Sequence, residues 1–515
     1  MTDTSERPTE PDARVPSGVP GLDALLRGGF LRGGTYIITG APGTGKTILG
    51  NQFCFSTVAR GGRAIYLTVL GESHSRMMVH LKSLRFFRQE EVGRALNYES
   101  GSAALKTEGL TGLGRLIFRA VREHGANVLV VDGLAALADR AEEALSLREF
   151  LHGLCVHNAL AGCTTLLLTG QHSDPEDPRY SMVDGVISLE QVHFGVKTVR
   201  AIEVTKFRGG PQVSGRHAFE ITDDGVCIHP RIESLQRQQP LRVPSLEERL
   251  AFGIPALDAM LTGGLVRESS TLVAGSPGSG KTLLGLHFLE EGARRGEPGL
   301  YYGFVETPLR LVHKAERMGL GLREHVEVGR IHLHTAVGAE ALPDALAEAL
   351  FQHVKQHGIQ RLVLDGLASF CQELTDPERT PRFLAALMHE LLVLGVTPLA
   401  IQQTLALIGP KADGLPPGME TLVDNILELR QVELRSQRFH MLSVAKARES
   451  GHDAAWRQFF MTSRGIDVAA DSESAEALLS GRAPARPARA RKPKRKAGGK
   501  PVRRGKPTRR GGRGE

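Results

Sequence analysis

Cysteine is scarce in this chain. There are five in 515 residues (Cys54, Cys155, Cys163, Cys227 and Cys371), an odd number with no CxxC pair. A disulfide-framed fold is excluded, and the thiols read as reduced, mostly buried groups of an intracellular protein. No run of about 18 apolar residues occurs, so no membrane-spanning helix is expected. The opening MTDTSERPTEPDARVP lacks the basic-then-apolar order of a secretory signal, and a soluble, cytoplasmic protein is the expectation. Aromatic residues make up only 5%, but a hydrophobic content of 41% supplies enough material for globular cores and excludes whole-chain disorder. The length exceeds one domain of about 150 residues, so two or three cores are expected.

Basic charge is also scarce, except at one end. The formal net charge is +7, but residues 482–515 hold 15 Lys or Arg against one acid. The rest of the chain carries 49 basic and 56 acidic residues, a balance of −7. Charge alone therefore does not mark the body as a nucleic-acid surface. The tail has no aromatic residue to stack on bases and no helical periodicity. It can neutralise phosphates only through non-specific, salt-sensitive contacts, with nucleic acid, an acidic protein or a neighbouring acidic body as candidate partners.

The chain repeats itself. GVPGLDALLRGGF from Gly18 returns as GIPALDAMLTGGL from Gly253, and GAPGTGKTILG from Gly40 returns as GSPGSGKTLLG from Gly275, both at an offset of 235. Apolar runs closing on Asp132 and Asp365 recur at an offset of 233. Three landmarks in one order indicate a duplicated domain of about 230 residues, too long for a solenoid repeat. The polar, proline-containing stretch 232–249 is the seam. It sets copy one at 13–245 and copy two at 246–470, with residues 1–12 and the Ala-, Pro-, Arg- and Lys-rich 471–515 expected to be disordered. In copy one, 35–39, 64–69, 128–131 and 165–169 read as strands buried on both faces, and 47–60 and 147–160 as helices. Segments 185–190 and 199–207 read as a more antiparallel meander. The predicted fold class is α/β, a mostly parallel sheet with helices on both faces in each of two tandem domains.

Gly40-Ala-Pro-Gly43-Thr44-Gly45-Lys46-Thr47 and Gly275-Ser-Pro-Gly278-Ser279-Gly280-Lys281-Thr282 both fit GxxxxGK[ST]. Each follows a β-branched strand and opens a helical pattern, the context that a phosphate-binding loop requires. The glycines let backbone N–H groups turn inward, and the following helix N-terminus adds partial positive charge at the phosphates. Lys46 and Lys281 would reach the β- and γ-phosphates, and the hydroxyls of Thr47 and Thr282 would complete a Mg²⁺ shell. Asp132 and Asp365, at the carboxyl edge of the sheet, would hold that metal through water. Glu72 and Glu306, after the second strand of each copy, are the candidates for orienting the attacking water.

With these motifs in place, residues 13–470 resemble the KaiC family of double-domain RecA-like ATPases. The resemblance rests on the GxPGLD and GG lead-ins, the paired P-loops, and KFRGGPQVSGRHAFEITDDGV from Lys206. It implies a homo-hexameric double ring with ATP between neighbouring subunits, regulatory partner proteins, and residues acting in trans. Lys206 and Arg208 match the family's Lys-x-Arg pair that reaches a neighbour's γ-phosphate, and Lys446 and Arg448 match in copy two. Two departures stand out. Where the family has two adjacent glutamates, this chain has Gly71-Glu72 and Val305-Glu306, which implies either slow hydrolysis or that Glu72 and Glu306 take over the role of the missing acid. Where the family has its autophosphorylated Ser-Thr pair, this chain has Glu420-Thr421, so one phosphorylation, at Thr421, remains and a two-site cycle does not. The expected function is a regulatory ATPase with serine/threonine autokinase potential. A DNA-handling motor or recombinase, and a nucleotide-gated scaffold with little turnover, are the alternatives.

Two histidine motifs mark no metal site. His353-Val-Lys-Gln-His357 lacks the glutamate of HExxH and reads as a solvated helix face, and Ile331-His-Leu-His334 reads as a polar sheet face.

Overall fold

The computed structural model describes residues 14–69, 74–134, 137, 144–170, 178–194, 197–235, 247–336, 341–374, 376–404, 419–448 and 450–481. Glu72 and the basic tail 482–515 lie outside them.

The first unit runs β1 (Thr35–Gly40), α1 (Lys46–Ala59), β2 (Ala64–Thr68), β3 (Leu96–Ser100), α2 (Ser102–His124), β4 (Val128–Asp132), α3 (Ala144–Leu160), β5 (Thr164–Thr169), β6 (Gly185–Phe194), β7 (Lys197–Phe207), β8 (Arg216–Thr222) and β9 (Gly225–His229). Nine of its described strands form one sheet in the order β9-β8-β7-β6-β1-β5-β4-β2-β3, and the short strands Arg14–Val15 and Phe30–Leu31 pair separately. The strands from β3 to β6 pair in parallel, and β6 to β9 continue as an antiparallel extension. The strand expectations for copy one are met to within a residue or two at most ends, and the meander begins where expected.

The continuous apolar strands are explained by burial on both faces. Ile38, Tyr66, Val130 and Leu168 point to the face covered by Leu49 and Phe53 of α1. Their neighbours Ile37, Leu67, Val131 and Leu167 point to the opposite face, covered by Leu113 and Ile117 of α2 and Leu151 and Leu154 of α3. The period-two alternation thus separates two apolar layers rather than a wet side from a dry one.

The second unit repeats the design with β10 (Thr271–Gly275), α4 (Lys281–Arg294), β11 (Gly299–Gly303), β12 (Ile331–Thr335), α5 (Pro343–His357), β13 (Arg361–Asp365), α6 (Thr380–Val393), β14 (Thr397–Gln403), β15 (Asn425–Leu434), β16 (Gln437–Ala447), β17 (Arg457–Thr462) and β18 (Gly465–Val468). Its sheet order, β12-β11-β13-β14-β10-β15-β16-β17-β18, is the same path with the same switch from parallel to antiparallel pairing. Two tandem RecA-like domains account for the duplication.

Two expectations need correction. Packed structure does not stop at residue 470: a helix α7 (Glu473–Leu479) follows, because Ala475 and Leu478 bury against Met441 of β16. The His353/His357 face is not solvated either. Both rings are half-buried against the edge strand β12, with His332 stacked on His357 at 3.9 Å and His334 tilted against His353 at 4.6 Å between ring centroids.

The units meet through charged groups. Arg379 makes a two-pronged bond to Glu233 at 2.7 and 3.0 Å and also reaches Asp344 at 3.0 Å. His229 lies between Glu220 of its own unit (3.1 Å) and Glu348 of the other (3.2 Å). A cleft of about 1070 Å³ beside this junction is lined from both sides, by Asp23, Arg27 and Val213 and by Glu348, Phe351 and Glu390.

Candidate functional site

Each P-loop forms because β1 or β10, at the centre of its sheet, ends where a helix must begin. Gly45 and Gly280 are the residues immediately before α1 and α4, at φ +100° and +96°. That left-handed conformation is costly for a residue with a Cβ. Gly40 is required for a different reason: a Cβ there would lie 2.5 Å from the carbonyl oxygen of Leu189 and 2.7 Å from Thr44 Oγ1. The loop is closed internally, with the Thr44 hydroxyl donating to the Ala41 carbonyl at 2.9 Å.

Lys46 Nζ donates to the carbonyls of Gly40 (2.7 Å) and Ala41 (2.9 Å), and Lys281 Nζ to those of Gly275 and Ser276, both at 2.8 Å. The two ammonium groups thus sit inside their loops rather than in solvent. Burial lowers the pKa of each, and the nearby Asp132 or Asp365 opposes that shift. In the second loop the buried hydroxyls of Ser276 and Ser279 have no hydrogen-bond partner among the described residues. Unsatisfied donors around an ammonium suit an anion.

Thr47 Oγ1 donates to Asp132 Oδ2 at 3.1 Å, and Thr282 Oγ1 to Asp365 Oδ2 at 2.8 Å. A threonine hydroxyl from the first turn of a helix and a strand-end carboxylate are hard oxygen donors, a set that fits Mg²⁺. The sequence pattern placed lysine, threonine and aspartate in one site per unit, and the structure brings all three together twice. It also adds a residue that pattern reading missed. Tyr66 of β2 and Tyr301 of β11 donate to the same aspartate oxygens at 2.6 and 2.7 Å. The available signal was their spacing of 235, the offset of the P-loops themselves.

Glu306 follows β11, with its backbone carbonyl accepting from Thr335 Oγ1 at 2.7 Å and its carboxylate paired to Lys314. The neighbouring Val305, where the resemblance has a second acid, is 82% exposed. Lys206 Nζ donates to the carbonyls of Tyr180 and Ser181, and Arg208 also reaches Ser181. Lys446 Nζ likewise bonds the carbonyls of Glu420 and Val423, and Arg448 that of Thr421 at 3.0 Å. In each unit, then, the Lys-x-Arg pair holds the carbonyls at the end of a short helical turn, and among the described residues neither pair bonds to a P-loop. Thr421 itself is exposed on that turn. Among the described residues no helix is long and apolar enough to cross a membrane.

A P-loop, a strand-end aspartate and a parallel sheet with an antiparallel extension, all repeated, define a tandem RecA-type nucleotide-binding protein. The family described as "ATPase: KaiC" matches residues 15–233 and again 250–473, and the chain belongs to that family. It is similar to the circadian clock oscillator protein KaiC of Parathermosynechococcus lividus, with 26% identity over 488 residues, covering 90% of this chain and 87% of the relative. It is similar in the same way to KaiC of Picosynechococcus sp. (26%, 90% and 91% covered) and to KaiC 1 of Synechocystis sp. (25%, 91% of each).

Proposed function

We propose that this protein is a regulatory ATPase that binds Mg–ATP at both P-loops and hydrolyses it slowly, as a homo-hexamer with its sites between subunits. The observation that carries this reading is the same constellation built twice: Lys46, Thr47 and Asp132, then Lys281, Thr282 and Asp365. Backbone N–H groups of residues 43–47 and 278–282, at the positive ends of α1 and α4, hold the phosphates. The lysines leave the loop carbonyls for the β- and γ-phosphates. The threonine hydroxyls, and the aspartates through water, would hold Mg²⁺, which would supply neutralisation of the charge that develops on the phosphates. Glu306, and Glu72 in the first unit, orient the attacking water and accept its proton. With one acid where the family resemblance has two, turnover is slow. Lys206, Arg208, Lys446 and Arg448 serve a neighbouring subunit's γ-phosphate.

Thr421 is the single acceptor for phosphoryl transfer from ATP, with Glu420 supplying a fixed negative charge beside it. The similarity to clock oscillator proteins supports a signalling role, with partner proteins read through a nucleotide-dependent state rather than a two-site phosphorylation cycle. The test is phosphate release together with mass photometry and intact mass after ATP incubation. Lys46→Ala and Lys281→Ala should each remove one site's turnover and weaken ATP-dependent assembly, and the intact chain should gain at most one phosphate. Unchanged turnover in the double variant, or two added phosphates, would overturn the corresponding part.

A further inference from the structure

The tyrosines beside the strand-end aspartates are the least expected feature of the two sites. Tyr66 and Tyr301 are fully buried, at 0% and 1% exposure, and each is the central residue of a strand that lies next to the edge strand of its sheet and pairs in parallel with the one that ends in the aspartate. A buried phenol must place its O–H on a partner. Here the partner is a carboxylate at 2.6 and 2.7 Å, within the range of charge-assisted bonds. In both units the oxygen chosen is Oδ2, the same atom that accepts from the P-loop threonine. No described donor reaches Oδ1. The arrangement is reproduced in two copies whose surrounding sequences differ, so it does not depend on one local packing accident.

From this geometry we infer that Tyr66 and Tyr301 are positioning residues of the two metal sites, each fixing Oδ2 of the aspartate so that Oδ1 remains to take a water of the cation's shell. The inference rests on the Mg–ATP reading above. When the threonine hydroxyl turns from the aspartate to the cation, Oδ2 loses one of its two donors. The phenol remains and keeps the carboxylate from rotating or following the hydroxyl. A Phe ring fills the same space but leaves Oδ2 dependent on the threonine, so the threonine is torn between carboxylate and metal.

The experiment uses the full chain and a fluorescent ATP analogue, titrated with and without Mg²⁺. Tyr66→Phe is made in a Lys281→Ala background, and Tyr301→Phe in Lys46→Ala, so that one site reports at a time. In each, the gain in nucleotide affinity on adding Mg²⁺ should fall about ten-fold, the size expected when a group orienting a metal ligand is lost. Asp132→Asn and Asp365→Asn in the same backgrounds separate the two layers of the claim. If these reduce the Mg²⁺-dependent gain but both Tyr→Phe changes leave it within two-fold, the positioning role is wrong. If the Asp→Asn changes also leave it intact, the metal reading itself fails. The two tyrosine variants lie in different units and test the claim independently.

Discussion

Glu306 stands at the second site with its carboxylate bound to Lys314, eight residues further along the chain on the helix Pro308–Arg317. Both side chains are partly exposed, so the pair is a screened one, worth about 0.2–1 kcal/mol. A carboxylate that must turn to the attacking water is less free to do so while an ammonium holds it. Lys314→Met in a Lys46→Ala background should therefore raise single-site phosphate release about 1.4- to five-fold, the rate equivalent of that energy, while Lys314→Arg leaves it near the parent. A fall in rate with Met would instead make Lys314 part of the binding machinery. The P-loop lysines, threonines and aspartates could be read from sequence because each lies at a set distance from a glycine-rich turn or a strand end. Lys314 could not, and Tyr66 only through its spacing of 235 to Tyr301. A tyrosine in an apolar strand reads as core, and a lysine on an amphipathic helix reads as surface. Only the fold shows that one phenol reaches the aspartate oxygen and one ammonium the glutamate.

At the scale of elements, buried histidines pin pieces together by accepting backbone N–H groups. His217 of β8 accepts from Arg231 at 3.0 Å, and His287 of α4 accepts from Ile466 of β18 at 2.9 Å. Burial pushes both down to about 4, with Arg231 and Arg294 respectively adding to the shift. An imidazole whose folded pKa is depressed takes up its proton more readily when unfolded. Stability is thus intact above about pH 6.5 and is lost as pH falls from there towards about 4, by about 3 kcal/mol at most for each residue. Burial and neighbouring imidazoles also lower His332 and His334 in the histidine stack, which acts in the same direction. Thermal melts between pH 7.5 and 5 should show this loss, and His287→Gln, which retains an acceptor without titrating, should flatten it. A parallel loss in that variant would assign the acid sensitivity elsewhere. The stack was not legible because its two motifs, each ordinary by itself, are 21 residues apart at their starts (His332 and His353) and meet only when α5 packs on the edge strand β12.

For the whole molecule the decisive contacts join the two units. Asp344 is almost fully buried (2% exposed), and burial pushes its carboxyl up even though Arg379 opposes the shift. Arg379→Met strips Asp344 and Glu233 of their partner at once. It should cost about 3–5 kcal/mol, the usual penalty for stranding a buried charge, and split a single calorimetric transition into two. Adding Asp344→Asn should recover part of the loss, and no recovery would mean that the arginine acts through packing alone. His229 adds a pH term of opposite sign. Burial alone would lower it, but Glu348 and Glu220 hold its pKa above the ordinary value. Its contribution to the junction is complete below about pH 6.5 and fades as pH rises through the folded value. By itself the sequence determined the duplication, the two phosphate loops, the strand-end aspartates and the α/β class, because each is written in spacings of a few residues or in exact self-similarity. The tertiary structure alone decided which buried groups complete those sites, where the second unit ends, and how the units are held together. Those outcomes depend on residues far apart in the chain meeting at about 3 Å, a distance that no local spacing encodes.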